Sequence, residues 1–263
     1  MRFDPTLADT HVHDKAFTLP MAPGGKCVEL SDGRHWIFER CIMDLSAYPP
    51  DDAHMDEAVG VSRGSSAWFK ACLIRGAGKL FLCGSGDAVD IPAERGKVVT
   101  LDHCILEFCG RRAPEVQDGM TLRMHNCLIT GWGSPDRWNR RSFGAWAHHG
   151  GEIEATNCIF WQDALWPGLT LAARDLGHHL GQAWNYNPLG VLHPKAWIPG
   201  TLRGLIATNG GKAHAEHCYK SHRLLFVEGW SRRNAMDAAE ARDLLATLRQ
   251  LRAWLMARRD LAG

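Results

Sequence analysis

Two stretches of this 263-residue chain hold side chains fit for chemistry. Arg111-Arg112-Ala113-Pro114-Glu115-Val116-Gln117 gathers two guanidiniums, a carboxylate and an amide. Gly76-Ala77-Gly78-Lys79-Leu80-Phe81-Leu82-Cys83-Gly84 sets one lysine at the mouth of an apolar, strand-like run, with glycines that permit tight corners. A third stretch, Gly133–Ser142, carries Arg137, Arg140 and Arg141 beside Trp138. A basic loop with an aromatic can grip an acidic sugar chain; a solvated surface loop has the same composition. The acids Asp51, Asp52, Asp56 and Glu57 sit close enough in sequence to hold Ca2+ through oxygen, or to form a solvated loop. His11 and His13, one residue apart, point the same way on a strand and could share the metal of a hydrolase.

The frame that must position these residues is a repeat. Arg40-Cys41-Ile42-Met43, Ala71-Cys72-Leu73-Ile74, His103-Cys104-Ile105-Leu106, Asn126-Cys127-Leu128-Ile129 and Asn157-Cys158-Ile159-Phe160 share one pattern, with a weaker copy at His217-Cys218-Tyr219. The first five cysteines are 31, 32, 23 and 31 residues apart. Each follows an apolar alternating run: HWIF, SAWF, VVTL, MTLRM and EIEA. Short strands at one repeated offset predict stacked coils, with a column of buried thiols packed as small hydrophobes. The alternative is chance recurrence of Cys in an unrelated α/β fold. The expectation is therefore an all-β chain, a right-handed parallel β-helix with a mixed C-terminal region and a terminal α-helix cap. Residues 1–23 are expected as an N-terminal arm, 24–165 as the coil core, and 166–263 as a cover with one more coil near 200–230. A helix is predicted over 234–258, capped by Asn234, with Leu244, Leu248, Leu251 and Leu255 on one stripe.

Composition narrows the partners. A formal net charge of +1 gives no global bias toward nucleic acid or membrane. The sequence has no run of 18 apolar residues, so no spanning helix is expected. MRFDPTLADTHVHDK lacks the apolar core of a secretory signal, so the expectation is an intracellular protein, or part of a larger assembly, unless a leader has been removed. Nine cysteines, an odd number in apolar settings, predict reduced thiols.

The chain over about residues 24–160 resembles the pectate lyase and pectin lyase superfamily of right-handed parallel β-helices. Lys79-Leu80-Phe81-Leu82-Cys83-Gly84 looks like that family's Lys-x-x-Leu-x-Gly strand, and Arg112-Ala113-Pro114 looks like its Arg-x-Pro element. His125-Asn126-Cys127 after MTLRM looks like its next coil. The resemblance implies cleavage of an acidic polysaccharide, a polyuronate, by β-elimination. A base removes the proton α to the uronate carboxylate while cations neutralise that carboxylate. By resemblance Arg112 is the base and Lys79 binds substrate. Arg111, Gln117, Lys26 and the loop with Arg137, Trp138, Arg140 and Arg141 are expected as further substrate contacts. Three departures stand out. Gln117 occupies the place of a second basic residue. Gly24, Lys26 and Gly60 stand where metal-binding acids are expected, leaving Asp56 and Asp52 for Ca2+, or Lys26 as a fixed cation in the metal's place. Cys replaces the stacked Asn of the bends. A non-catalytic glycan-binding or structural module is the alternative.

Overall fold

The computed structural model describes residues 1–6, 10–19, 21, 25–46, 57–85, 92–132, 144–161, 205–207, 210–220 and 230–261. Its strands fall into two sheets, and every strand pair is parallel. Numbered in chain order, the first sheet holds β1 (His11–His13), β4 (His35–Glu39), β7 (Ser66–Lys70), β9 (Val98–Asp102), β12 (Thr121–His125), β15 (Glu152–Thr156), β18 (Lys212–Glu216) and β20 (Trp230–Arg233), neighbours in that order. The second sheet begins with a row made of β2 (Ala16–Phe17), β5 (Ile42–Asp44), β8 (Leu73–Cys83), β10 (Ile105–Arg112), β13 (Leu128–Trp132), β16 (Ile159–Trp161) and β19 (Tyr219–Lys220). Its other row is β3 (Val28–Leu30), β6 (Glu57–Val61), the far half of β8, β11 (Glu115–Val116), β14 (Ala145–Ala147) and β17 (Leu205–Ala207). Strand β8 belongs to both rows because it runs eleven residues without a break.

The chain passes from the first sheet to the second through a two-residue corner. The first corner residue is Asp14, Arg40, Ala71, His103, Asn126, Asn157 or His217, each left-handed with φ of 49–53°. Its amide donates to the carbonyl that ends the neighbouring strand: Arg40 to Lys70, Ala71 to Asp102, His103 to His125, Asn126 to Thr156. The second corner residue is the repeated cysteine. Cys41, Cys72, Cys104, Cys127, Cys158 and Cys218 are fully buried, and each Sγ donates to a carbonyl of the preceding repeat at 3.3–3.6 Å. A bulkier side chain would overfill this column. All nine cysteines are buried free thiols. Burial, with the neighbouring thiols, pushes Cys72 and Cys127 well above the usual thiol range.

The two apolar residues after each of the first six corners serve different partners, as alternation on a strand requires. The second one (Phe17, Met43, Ile74, Leu106, Ile129, Phe160) enters the core between the sheets. The first one (Ala16, Ile42, Leu73, Ile105, Leu128, Ile159) forms a row on the outer face. Across that row lies α1 (Ala238–Leu261), which buries Ala241, Leu245, Leu248 and Leu255 against it. Its 24 residues span about 36 Å, enough to cross the seven strands of the row at roughly 4.8 Å each.

The expected all-β right-handed parallel β-helix with an end-capping helix is therefore corrected. The described chain forms two all-parallel sheets, and its long C-terminal helix lies flat on the outer face of one of them. The reason is the outer apolar row, which needs a cover that the repeat pattern did not reveal. Charge locks the helix there. Glu107, wholly buried, accepts from Arg252 Nε at 2.7 Å and Nη2 at 2.8 Å, and Arg75 Nε lies 3.3 Å away. Asp44 accepts from Arg259 at 2.7 Å. Burial pushes the Asp44 carboxyl up, but Arg75, Ser46 and Arg259 outweigh it and hold it below the usual range. The helix cap is also corrected. Asp237, not Asn234, accepts from the Ala239 and Glu240 amides, and the Asp237 amide in turn donates to the Glu240 carboxylate, a capping box. Asn234 takes the left-handed corner conformation after β20 instead.

Domain bounds shift likewise. Residues 11–17 are strands of the sheets, not an arm, and the paired strands run on to Arg233. Phe3, 2% exposed, packs on Phe17, Trp36 and Phe38, so the N-terminal segment covers the core beside β1. No helix among the described residues is long and apolar enough to cross a membrane.

Two substitutions test this frame by urea unfolding. Ala71 is the one corner residue with neither a polar side chain nor Gly in a left-handed backbone, so Ala71→Gly is expected to raise stability by up to about 1 kcal/mol. Glu107→Ala removes the buried carboxylate that Arg75 and Arg252 share and is expected to cost on the order of 3–5 kcal/mol. A Glu107→Ala loss below about 1 kcal/mol would show that apolar contact alone holds the helix.

Candidate functional site

Arg112 and Lys79 are Cα partners on β10 and β8, so the strand register brings the two cations together. Lys79 points away from the core because alternation breaks just after it, where Leu80 and Phe81 both enter the core. Val116 is a core residue, so Glu115 beside it faces outward; Ala145 and Ala147 place Trp146 outward in the same way. Glu115 and Trp146 are Cα partners on β11 and β14.

The outward side chains form one chain of alternating charge. Lys26 Nζ lies 3.0 Å from Glu29 and 3.9 Å from Glu57. Lys79 Nζ lies 2.8 Å from Glu57 and 3.4 Å from Glu115. Arg112 donates to Glu115, and so does His148 Nε2 at 2.9 Å. Glu57, Lys79, Arg112, Glu115 and His148 are all buried. The Lys26 side chain lies over Gly60, where a Cβ would come within 2.8 Å of Lys26 Cδ and push that chain aside.

Burial pushes the Glu115 carboxyl up, but the His148 hydrogen bond and the charges of Lys79 and Arg112 outweigh it and hold it down at about 2. Glu115 is therefore a fixed carboxylate. One face of the Trp146 ring meets the Arg112 guanidinium at 3.9 Å, and the His148 ring stacks on Trp146 at 4.0 Å. His148 Nδ1 lies 2.5 Å from Nδ1 of His149, which is half-buried and left-handed with φ of 46°. With His148 Nε2–H donating to Glu115, hydrogen-bond logic makes His148 Nδ1 the acceptor and His149 Nδ1–H the donor. The far end of this relay is Nε2 of the half-buried His149.

The sequence-predicted residues divide accordingly. Arg112, Lys79 and Lys26 meet in one cluster. Gln117 lies just past Glu115, buried, with its side chain against Gly84. Arg111 lies on β10 next to Arg112, and its side chain is outside the described residues. Arg137, Trp138, Arg140, Arg141, Asp52 and Asp56 also lie outside the described residues. His11 and His13 are exposed on β1 of the other sheet, 3.6 Å from Glu39 and 3.2 Å from Asp14, away from the cluster. Among the described residues, no group of three or more His, Cys, Asp or Glu is arranged to hold a metal ion. Sequence reasoning missed Glu115 as the hub, and His148, His149 and Trp146 altogether. The available signal was the alternation Ala145-Trp146-Ala147-His148, which sets two aromatic rings on one face. No protein-family model matches the chain, and no curated protein matches it in sequence.

Glu115 sets a pH dependence. Its carboxyl is depressed in the folded state, so its stabilisation is present above the unfolded value of 4.5 and is lost as pH falls toward about 2. Wild type is expected to exceed Glu115→Gln by on the order of 3 kcal/mol at pH 7, converging near pH 2, in urea titrations at each pH. A gap that does not change with pH would show that Glu115 carries no such linkage.

Proposed function

We propose that this chain is a lyase-like enzyme acting on an acidic, uronate-containing polysaccharide by β-elimination, with the base placed at His149 rather than Arg112. The observation that carries this reading is the relay Glu115–His148–His149 next to the paired cations Lys79 and Arg112. Arg112 is bound to a carboxylate that stays ionised, and a guanidinium so paired keeps its proton. Imidazole is better suited to proton transfer near neutral pH. His149 Nε2 takes the proton α to the uronate carboxylate, a carbon–carbon double bond forms, and the bond from the β carbon to the leaving oxygen breaks. Water returns a proton to that oxygen. Lys79 and Arg112 supply the positive field that tolerates charge on the substrate carboxylate.

A second reading, a non-catalytic glycan-binding or structural module, is favoured by the balance of charge. Lys26, Lys79 and Arg112 face Glu29, Glu57 and Glu115, so the cluster is internally compensated. Incubation with polygalacturonate and with alginate, followed by ultraviolet absorbance of the unsaturated uronate product, separates the two. The expected result is product from wild type and a loss of about 10²–10⁴-fold in kcat for His149→Ala. Glycan retention without product would support the module, and full activity in His149→Ala would return the base role to another residue.

A further inference from the structure

A second buried acidic group lies outside this relay. Glu94 sits in the turn before β9, and Asp118 in the left-handed turn between β11 and β12, with φ of 59°. They are 0% and 1% exposed. Both are drawn to Ser85, just after β8. Asp118 Oδ2 accepts from the Ser85 amide at 3.0 Å and from its hydroxyl at 3.1 Å, and Glu94 also takes a bond from the Ser85 backbone. Glu94 Oε1 accepts from the Arg63 amide at 2.9 Å. Each carboxylate is thus tied down by one oxygen only. Glu94 Oε2 and Asp118 Oδ1 have no hydrogen-bond partner, so they do not bond each other through a shared proton.

An independent observation comes from Gln117. It is 2% exposed, and its side-chain Nε2 has no acceptor. Its Cγ and the Asp118 carboxylate converge on the same spot, since a Cβ on Gly84 would lie 2.6 Å from the one and 2.9 Å from Asp118 Oδ2. An amide nitrogen and oxygen exchange places by a flip of the side chain. Turned over, Gln117 presents a carbonyl oxygen where its orphaned nitrogen now stands. Two buried carboxylate oxygens, close enough for their charges to act on each other, and one amide position therefore lack partners on the turns around Ser85, and a hard cation is the ligand such carboxylate oxygens call for.

We propose that Glu94, Asp118 and Gln117, with the Ser85 hydroxyl in reach, form a Ca2+ site that ties together the turns after β8, before β9 and after β11. The donors are oxygens only, and just two of them are charged, which is why no three-residue cluster of ordinary metal ligands marks the place. Such a set suits Ca2+, which accepts mixed carboxylate and neutral oxygen donors with loose geometry, over Mg2+, which needs a rigid octahedron and retains water. The proposed donor set holds no nitrogen or sulfur, which disfavours softer metals. The site would join three consecutive turns in the way the cysteine corners join strands on the far side. This inference does not rest on the glycan reading.

The test uses the full chain stripped of divalent ions, with equilibrium dialysis against 45Ca2+ and thermal unfolding. The expected result is saturable Ca2+ binding and a rise in Tm of about 5 °C at Ca2+ a hundredfold above Kd, absent with Mg2+. Asp118→Asn and Glu94→Gln are expected to lose both, while the surface control Glu154→Gln keeps both. The two amide variants are close in shape to the parent side chains, and their far-ultraviolet circular dichroism reports whether they fold. A Ca2+-dependent rise in Tm that survives in folded Asp118→Asn, an equal response to Mg2+, or no Ca2+ response in wild type overturns the proposal.

Discussion

The structure depends on one local event, a chain turn of two residues whose first residue is left-handed and whose second is buried. A parallel strand pair gives each backbone group a partner only while register holds, and a slip of one residue would reverse every side chain. The left-handed corner guards against that slip. It ends one strand at a defined residue, aims its own amide at the end of the next strand, and starts the following strand in phase. Six of the seven such corners then place a thiol, small enough to stack at strand spacing and able to donate weakly to a carbonyl. The first corner has Lys15 there instead, at the point where the stack ends.

Given that register, the same sheet carries two charged networks of different kinds. Under α1, Asp44, Arg75, Glu107, Arg252 and Arg259 couple a helix to three strands of the sheet, and the covering helix is itself a member of the network. Along the other row, Lys26, Glu57, Lys79, Arg112, Glu115 and His148 come almost wholly from strands and the residues flanking them, with no described helix over them. Burying a charge costs several kcal/mol unless it is paired, so both networks must be compensated to exist. What distinguishes the second is its end group. A ring nitrogen of a half-buried histidine terminates the relay, whereas the network under α1 terminates in guanidiniums bonded to carboxylates.

This difference bears on chemistry. A guanidinium bonded to a permanent carboxylate is a good electrostatic partner for developing negative charge and a poor acceptor of protons. An imidazole oriented by a carboxylate through a second imidazole is the reverse. Under the proposed function, labour would divide between the cations, which hold charge, and the histidines, which move a proton. The charge balance of the cluster also sets a limit on affinity. An acidic ligand must compete with Glu57 and Glu115 for Lys79 and Arg112, so binding there gains less than two uncompensated cations would provide.

Much of this was legible along the chain, for a physical reason. The Cys-apolar-apolar repeat encodes the corner, because corner, thiol and alternation are all local properties, set by one or two residues and their nearest neighbours. The proximity of Lys79 and Arg112 followed from the repeat offset as well. What tertiary structure alone decided was which face each apolar residue serves and what lies on it. The first apolar residue after each cysteine looks like core in the sequence, yet it is a floor for α1, and only the packed helix shows this. Glu115 reads as one more surface acid until Lys79, Arg112 and His148 close around it from three other strands or their ends. Its pairing with Lys79 and with His148 is made by contacts between residues more than thirty positions apart in the chain, and no local pattern carries such contacts.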